Sequence, residues 1–270
     1  MVPIQKEEFM RLVVYMRNNY GVNLENKQTL VEGRLFAVLK NRGIQSLSEY
    51  IDIVINDTSG EEAKTLVTRL TTNYTYFMRE DQHYKFLVRT ILPEMETKLR
   101  DRDLRTWSAG CSSGEEPFTT AMVIDDYFGM RKHDWDTKIL ATDISPQVLQ
   151  MASEAIYPED HLQSLPPGWK EKYFKSLGGG NYQVSEKIRQ EVIFRQFNLM
   201  EKMLPFKKRF HVIFCRNVMI YFNKQTRDEL CARFFSVLEP GGYFFIGLSE
   251  TLSKDDSKFQ FISPSIYKKP

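Results

Sequence analysis

Cysteine is scarce in this chain and spaced badly for structure. Cys111, Cys215 and Cys231 are odd in number and show no CxxC or Cys/His spacing, which argues against a disulfide framework and a zinc site. They read as small free thiols in a reducing compartment, and no metal is expected. No stretch approaches the ~18 uninterrupted apolar residues of a membrane span. The opening MVPIQKEEFM turns acidic and amphipathic at once and lacks the apolar core of a signal peptide, so a cytoplasmic location is expected. A net charge of +2 over 270 residues is too small to make nucleic acid an obligate partner. The dinucleotide fingerprint G-x-G-x-x-G is absent as well.

What is present divides into three stretches. Residues 1–72 carry helical periodicity and almost no strand signal. Phe9, Leu12, Val13, Met16 and Tyr20 share one face of a first helix, broken at Gly21. A second helix fits Leu30 to Lys40. Ser46 with Glu49, and Ser59 with Glu62, have capping-box spacing and predict two more. Between Arg11 and Arg42 six basic residues face two acidic ones, Glu25 and Glu32, a local excess that reads first as a solvated helical face. Residues 73–103 form a linker, with a helix from about Glu80 to Arg100 in which Pro93 is a break.

From residue 104 to 270 strands alternate with helices, which predicts a mostly parallel, doubly wound α/β sheet. The strands are Leu104–Ala109, Lys138–Thr142, Glu191–Phe197, His211–Cys215 and Tyr243–Gly247, the last fed by a Pro240-Gly241-Gly242 turn. Residues 157–190, with three prolines and the run Gly178-Gly179-Gly180, interrupt the alternation and predict an inserted subdomain containing an antiparallel hairpin.

Chemistry concentrates in WSAGCSSGEEP, Trp107 to Pro117. Gly110 and Gly114 leave bare backbone in the loop after the first strand, where a nucleotide-like ligand approaches an α/β sheet. Glu115 or Glu116 then opens the next helix. A carboxylate there disfavours a pyrophosphate and suits a cationic amino group. Asp143 ends the second strand, from which an acidic side chain accepts hydrogen bonds from ribose; its competing reading is a helix N-cap before Ser145-Pro146. A ribose, a positive charge and no phosphate describe S-adenosylmethionine. The Asn/Asp-Pro-Pro-aromatic loop that amino-directed DNA methyltransferases use is missing, which lowers the nucleic-acid reading.

TNYTYFMRE, WSAGCSSGEEP, ATDIS, FNLM, FCRNVMIYF and LEPGGYFFIGLSE, in this order after a small helical domain, resemble the CheR family of chemotaxis receptor glutamate methyltransferases. The resemblance implies a Rossmann-like methyltransferase domain with an inserted antiparallel β-subdomain, preceded by an all-α domain. It implies cofactor contacts at Asn73, Thr75, Arg79, Gly110, Glu116, Asp143, Asn198, Leu199, Arg216 and Asn217, with Tyr221 beside the transferred methyl. Arg79 and Arg216 are the candidates to orient a carboxylate, of cofactor or substrate; an ion pair with an acid such as Glu80 is the competing reading for each. The implied partner is the cytoplasmic helical domain of chemoreceptors in their arrays, met by the basic stretch of the first domain. In some members of the family the hairpin insert also holds a receptor C-terminal peptide. A methyltransferase of a small molecule or RNA, and a scaffold that only binds the cofactor, are the alternatives.

Overall fold

The computed structural model describes residues 4–71, 74–252 and 258–270. The first four helices, α1 (Lys6–Tyr20), α2 (Gln28–Arg42), α3 (Leu47–Asn56) and α4 (Glu61–Leu70), bury one apolar stripe each in a common core that includes Leu12, Met16, Leu35, Ile51 and Leu66. Gly21 and Gly43 end α1 and α2 in the left-handed conformation that only glycine adopts without strain. Ser46 caps α3 through its hydroxyl to the Glu49 N–H. The second predicted cap is corrected. Gly60 occupies the cap position of α4, and the Asp57 carboxylate, not Ser59, takes the Glu62 N–H.

The linker helix is not continuous. It runs as α5 (Gln82–Phe86), a widened π turn at Leu87–Ile91, and α6 (Leu92–Lys98). Pro93 explains the widening. Its ring displaces the carbonyl four residues back, and the chain accommodates this with an i to i−5 bond from the Leu92 N–H to the Leu87 carbonyl.

The remaining chain forms β1 (Thr106–Ala109), α7 (Glu115–Phe128), β2 (Ile139–Asp143), α8 (Pro146–Glu154), β3 (Ile156–Pro158), α9 (Trp169–Tyr173), β4 (Phe174–Gly178), β5 (Asn181–Val184), α10 (Glu186–Arg189), β6 (Val192–Gln196), β7 (Phe210–Cys215), α11 (Lys224–Val237), β8 (Leu238–Ile246), β9 (Gln260–Ser263) and β10 (Ile266–Lys268). Seven strands make the main sheet in the order β6-β2-β1-β7-β8-β10-β9, parallel from β6 to β8 and antiparallel at β10 and β9. The β7 run FHVIFC is buried at every position, as a strand covered on both faces requires. Two details differ from the sequence expectation. Pro240-Gly241-Gly242 lies inside β8 as an irregularity rather than before it, because Gly241 and Gly242 exchange backbone hydrogen bonds with Lys269. The insert is a three-stranded sheet, β3-β5-β4, because Ile156–Pro158 joins the hairpin. Gly179 and Gly180, both with positive φ, form its two-residue turn.

Strand order reverses between β1 and β7. In an open α/β sheet the crevice at that reversal is where a ligand sits, and the ends of β1, β2 and β7 deliver Gly110, Asp143 and Arg216 to it. No described helix is long and apolar enough to cross a membrane.

Candidate active site

A cleft of about 270 Å³ opens at this reversal. Thr75, Arg79, Gly110, Glu116, Asp143, Asn198, Leu199, Arg216, Asn217 and Tyr221 all line it, although they are spread over nearly 150 residues of chain. Asn73 lies outside the described residues.

The loop after β1 is shaped by its neighbours. Gly110 has φ +93°, and a Cβ there would overlap the Val218 side chain, so only glycine lets the two loops close against each other. The Gly110 and Cys111 N–H groups both donate to the Thr142 carbonyl at the end of β2. The two glutamates of the motif then separate. Glu115 is fully buried and turned toward the insert, accepting from the Ser113 hydroxyl at 2.7 Å and lying 3.2 Å from His161. Glu116 faces the cleft, accepting from the Ser108 hydroxyl at 2.7 Å and from Arg216 at 3.1 Å.

Asp143 is not a helix cap; Ser145 caps α8 through its own hydroxyl to the Val148 N–H. The Asp143 carboxylate instead accepts the Ser112 N–H at 2.9 Å and the Ser145 N–H at 3.0 Å, one on each oxygen, which fixes its orientation at the cleft. Burial pushes its carboxyl up, and the N–H groups of Ser145 and Ser112 pull it back only in part. Apolar side chains, Ile144, Phe197 and Leu199, line the cleft beside it.

Arg216 is the hub. Its side chain is buried and donates to Glu80 (3.2 Å), to the Tyr84 hydroxyl (3.0 Å), to Glu116 (3.1 Å) and to the Arg79 carbonyl, with the guanidinium over the Tyr84 ring. The ion pair weighed as the competing reading is therefore what Arg216 makes with Glu80, and its donor fork is spent within the protein. Arg79, by contrast, donates to the Tyr74 carbonyl at 2.8 Å and has no carboxylate partner among the described residues. His83, fully buried behind Glu80, is pushed down to about 4 by burial and then by Arg216, so it is neutral at pH 7.

The charge count decides what this site accepts. Within the Arg216 cluster one guanidinium faces two carboxylates, Glu80 and Glu116, and Arg79, the other guanidinium of the cleft, pairs with neither. Burial works against ionised Glu80, yet Arg216 and the Leu248 N–H bring it below the usual range; Glu116 is pushed up by burial, with Arg216 and Ser108 compensating only in part. A buried carboxylate short of positive charge suits a cationic amino group. A carboxyl raised in the folded state binds more protons folded than unfolded, so it costs stability as pH rises through that interval. Glu116→Gln keeps an acceptor for Ser108 and removes the charge. Its urea midpoint at pH 7 should equal or exceed that of the parent chain; a clear drop would contradict the charge count.

Sequence reasoning missed several participants. Tyr20, Val22, Val67 and Thr71 of the helical bundle form one wall of the cleft. The bundle is tied down there by the Asn23 N–H to the Tyr221 carbonyl (2.7 Å), a bridge between Val22 and Phe222, and the Asn198 amide to the Asn19 carbonyl (2.8 Å). Nothing in the periodicity of α1 or α4 marks those positions. Glu80 closes the quoted motif TNYTYFMRE and was named there only as an ion-pair partner; Tyr84 lies four residues beyond it and carries no mark of its own.

Residues 73–268 match the CheR methyltransferase, SAM binding domain, and residues 7–71 match the CheR methyltransferase, all-alpha domain. A chemotaxis protein methyltransferase of Borreliella burgdorferi is 43% identical over 99% of this chain and 96% of its own. Another, of Escherichia coli, is 33% identical over 96% of this chain and 89% of its own. With the glycine loop, the acidic strand end and the buried arginine hub at one sheet reversal, this chain belongs to the CheR methyltransferase family and is an S-adenosylmethionine-dependent methyltransferase of chemotaxis.

Proposed function

We propose that the acceptor is the side-chain carboxylate of glutamates on the cytoplasmic helices of chemoreceptors. The observation that carries this reading is the combination of an arginine without a counter-carboxylate among the described residues, Arg79, with a described lining whose carboxylates are both engaged rather than free to take a proton. Among the described residues no histidine lines the cleft, and the two carboxylates that do are already held, Glu116 by Ser108 and Arg216, Asp143 by backbone N–H groups. An amine or hydroxyl acceptor must lose a proton on the way to product. A glutamate side chain arrives ionised, since its ordinary pKa is about 4.3.

When bound, S-adenosylmethionine supplies an electrophilic methyl on a sulfonium. The chain's own residues then position and enclose. Glu116 would hold the amino group and Asp143 the ribose, Asn198 and Leu199 would flank the adenine, and Thr75 and Asn217 would complete the pocket. Arg79 would draw the acceptor carboxylate into line, while Tyr221 and the bundle wall exclude water. Alignment and desolvation of this kind supply about 7 to 11 kcal/mol of a barrier. Arg216 acts at one remove, holding Glu80, Glu116 and the Arg79 carbonyl in place.

The basic stretch of the bundle supports receptor docking less than its composition suggests. Arg11, Arg17 and Arg42 are paired with Asp52, Glu25 and Glu62, and Arg34 donates to the Arg69 and Thr71 carbonyls, which leaves Lys27 and Lys40 as cations of that stretch without an ion pair among the described residues. In the insert, the outer strand β4 is exposed from Lys175 to Gly178, where a receptor C-terminal peptide would add as a further strand. This reading places the enzyme in the cytoplasm at receptor arrays. The test is incubation with receptor-bearing membranes and methyl-labelled cofactor. Label should enter receptor protein and leave as methanol in mild alkali; alkali-stable label, or label only in RNA or small molecules, would overturn the reading.

A further inference from the structure

The loop from Arg216 to Phe222 carries residues of the cleft, yet a single 3₁₀ turn at Met219–Tyr221 is its only regular part and Asn217 sits at φ +59°. Side chains other than glycine enter that region at a cost, so something must hold it there. The holder is Glu250, a buried carboxylate outside the cleft lining. One of its oxygens accepts the Asn217 N–H at 3.0 Å and the Gly247 N–H at 2.6 Å, and the other accepts the Ile220 N–H at 3.0 Å. Its own N–H returns to the Gly247 carbonyl at 2.9 Å, closing a tight turn at the end of β8. The Asn217 side chain in turn packs so closely on Gly247 that a Cβ at 247 would overlap its amide.

We infer that Glu250 is a positioning residue for methyl transfer, setting the loop that places Asn217, Ile220 and Tyr221 around the reacting groups; this rests on the reading of the cleft given above. A neutral acceptor would not serve as well. An amide in its place has one oxygen, and its NH₂ group must face an N–H that the carboxylate accepted. Burial pushes the Glu250 carboxyl up, and the loop and Gly247 N–H groups oppose that. The contacts proposed for the cofactor's amino group and ribose, Glu116 and Asp143, are fixed by Ser108, Arg216, Ser112 and Ser145, none of which touches Glu250.

The two effects therefore separate. In Glu250→Gln, kcat for receptor methylation should fall by about 10²-fold, the cost of a small misplacement at a reacting centre, while the calorimetric Kd for S-adenosylhomocysteine, set mainly by Glu116 and Asp143, weakens far less, by the share of the Asn217 contact alone. Gly247→Ala pushes the same loop from its other side and should reproduce that split, and Glu250→Asp, which keeps the charge, should recover part of kcat. Asp125→Asn serves as the control for loss of a buried carboxylate, here one bonded to Tyr173 and Lys187 away from the cleft; it should lower stability without lowering kcat. Wild-type kcat in folded Glu250→Gln or Gly247→Ala, or parallel losses of kcat and cofactor affinity, would overturn the inference. Failure of the receptor reading would show separately, as absence of receptor methylation by the parent chain with cofactor binding intact.

Discussion

Replacing Arg216 by alanine should lower the free energy of unfolding at pH 7 by about 3 to 5 kcal/mol, the cost of stranding buried charge. Glu80 and Glu116 would be left facing one another without a cation, and the Tyr84 hydroxyl and the Arg79 carbonyl would lose a donor. The loss should depend on pH with a definite sign. Without Arg216 the two carboxyls titrate higher in the folded state than in the unfolded chain, so the native form binds more protons and gains stability as pH falls through that interval. Urea denaturation should show the variant closer to the parent at pH 5 than at pH 8. Arg216→Lys restores one charge but not a planar fork reaching two carboxylates, a hydroxyl and a carbonyl, and should recover only part of the deficit. A stability loss below about 1 kcal/mol, the range of a surface pair, would show that Arg216 is not the hub of the site.

Arg79→Ala should leave the fold intact and reduce methyl transfer by about 10²-fold or more. The loop that presents Arg79 is prearranged. Met78 and Glu80 on either side both have positive φ, at 61° and 58°, a strained pair that the surroundings must hold. The Met78 N–H donates to the Thr119 hydroxyl and Glu80 is gripped by Arg216 and the Leu248 N–H, contacts that survive loss of the Arg79 side chain. The carbonyl that Arg216 holds belongs to the Arg79 backbone and survives too. The expected signature is an unchanged thermal midpoint with transfer to receptor membranes near background. Full activity in the variant would remove Arg79 from the mechanism.

How much of this was legible before folding differs from element to element. The Gly110 loop, Asp143 and Arg216 could be placed together because each follows a strand, and strand ends on the same edge of a parallel sheet converge whatever their separation in sequence. The split of Glu115 from Glu116 could not be read from the residues themselves, and only the resemblance singled out Glu116. Adjacent residues on a helix point about 100° apart, and which one faces the cleft depends on Arg216 and His161, contacts 100 and 46 residues away. The π turn before Pro93 was legible as a disturbance but not as a type. Glu250 was quoted at the end of a motif and then passed over, because a carboxylate that holds backbone has no characteristic spacing to its partners. The bundle wall was invisible for a related reason: Tyr20 and Val67 follow the helical period of an ordinary core.

The Arg216 cluster holds two carboxylates against one guanidinium and so selects a cation. Calorimetric titration of the parent chain and of Glu116→Gln with S-adenosylhomocysteine, stepped from pH 8 to pH 5, tests that most directly. Binding of the ligand's ammonium favours ionised Glu116, whose carboxyl is raised in the free protein. Affinity of the parent chain should therefore fall as pH drops through that raised pKa, with proton release on binding, while Glu116→Gln binds at least about 10-fold more weakly, as loss of a charge-assisted contact implies, and with a flatter pH profile. Equal affinity in the two proteins, or a parent profile no steeper than the variant's, would contradict it.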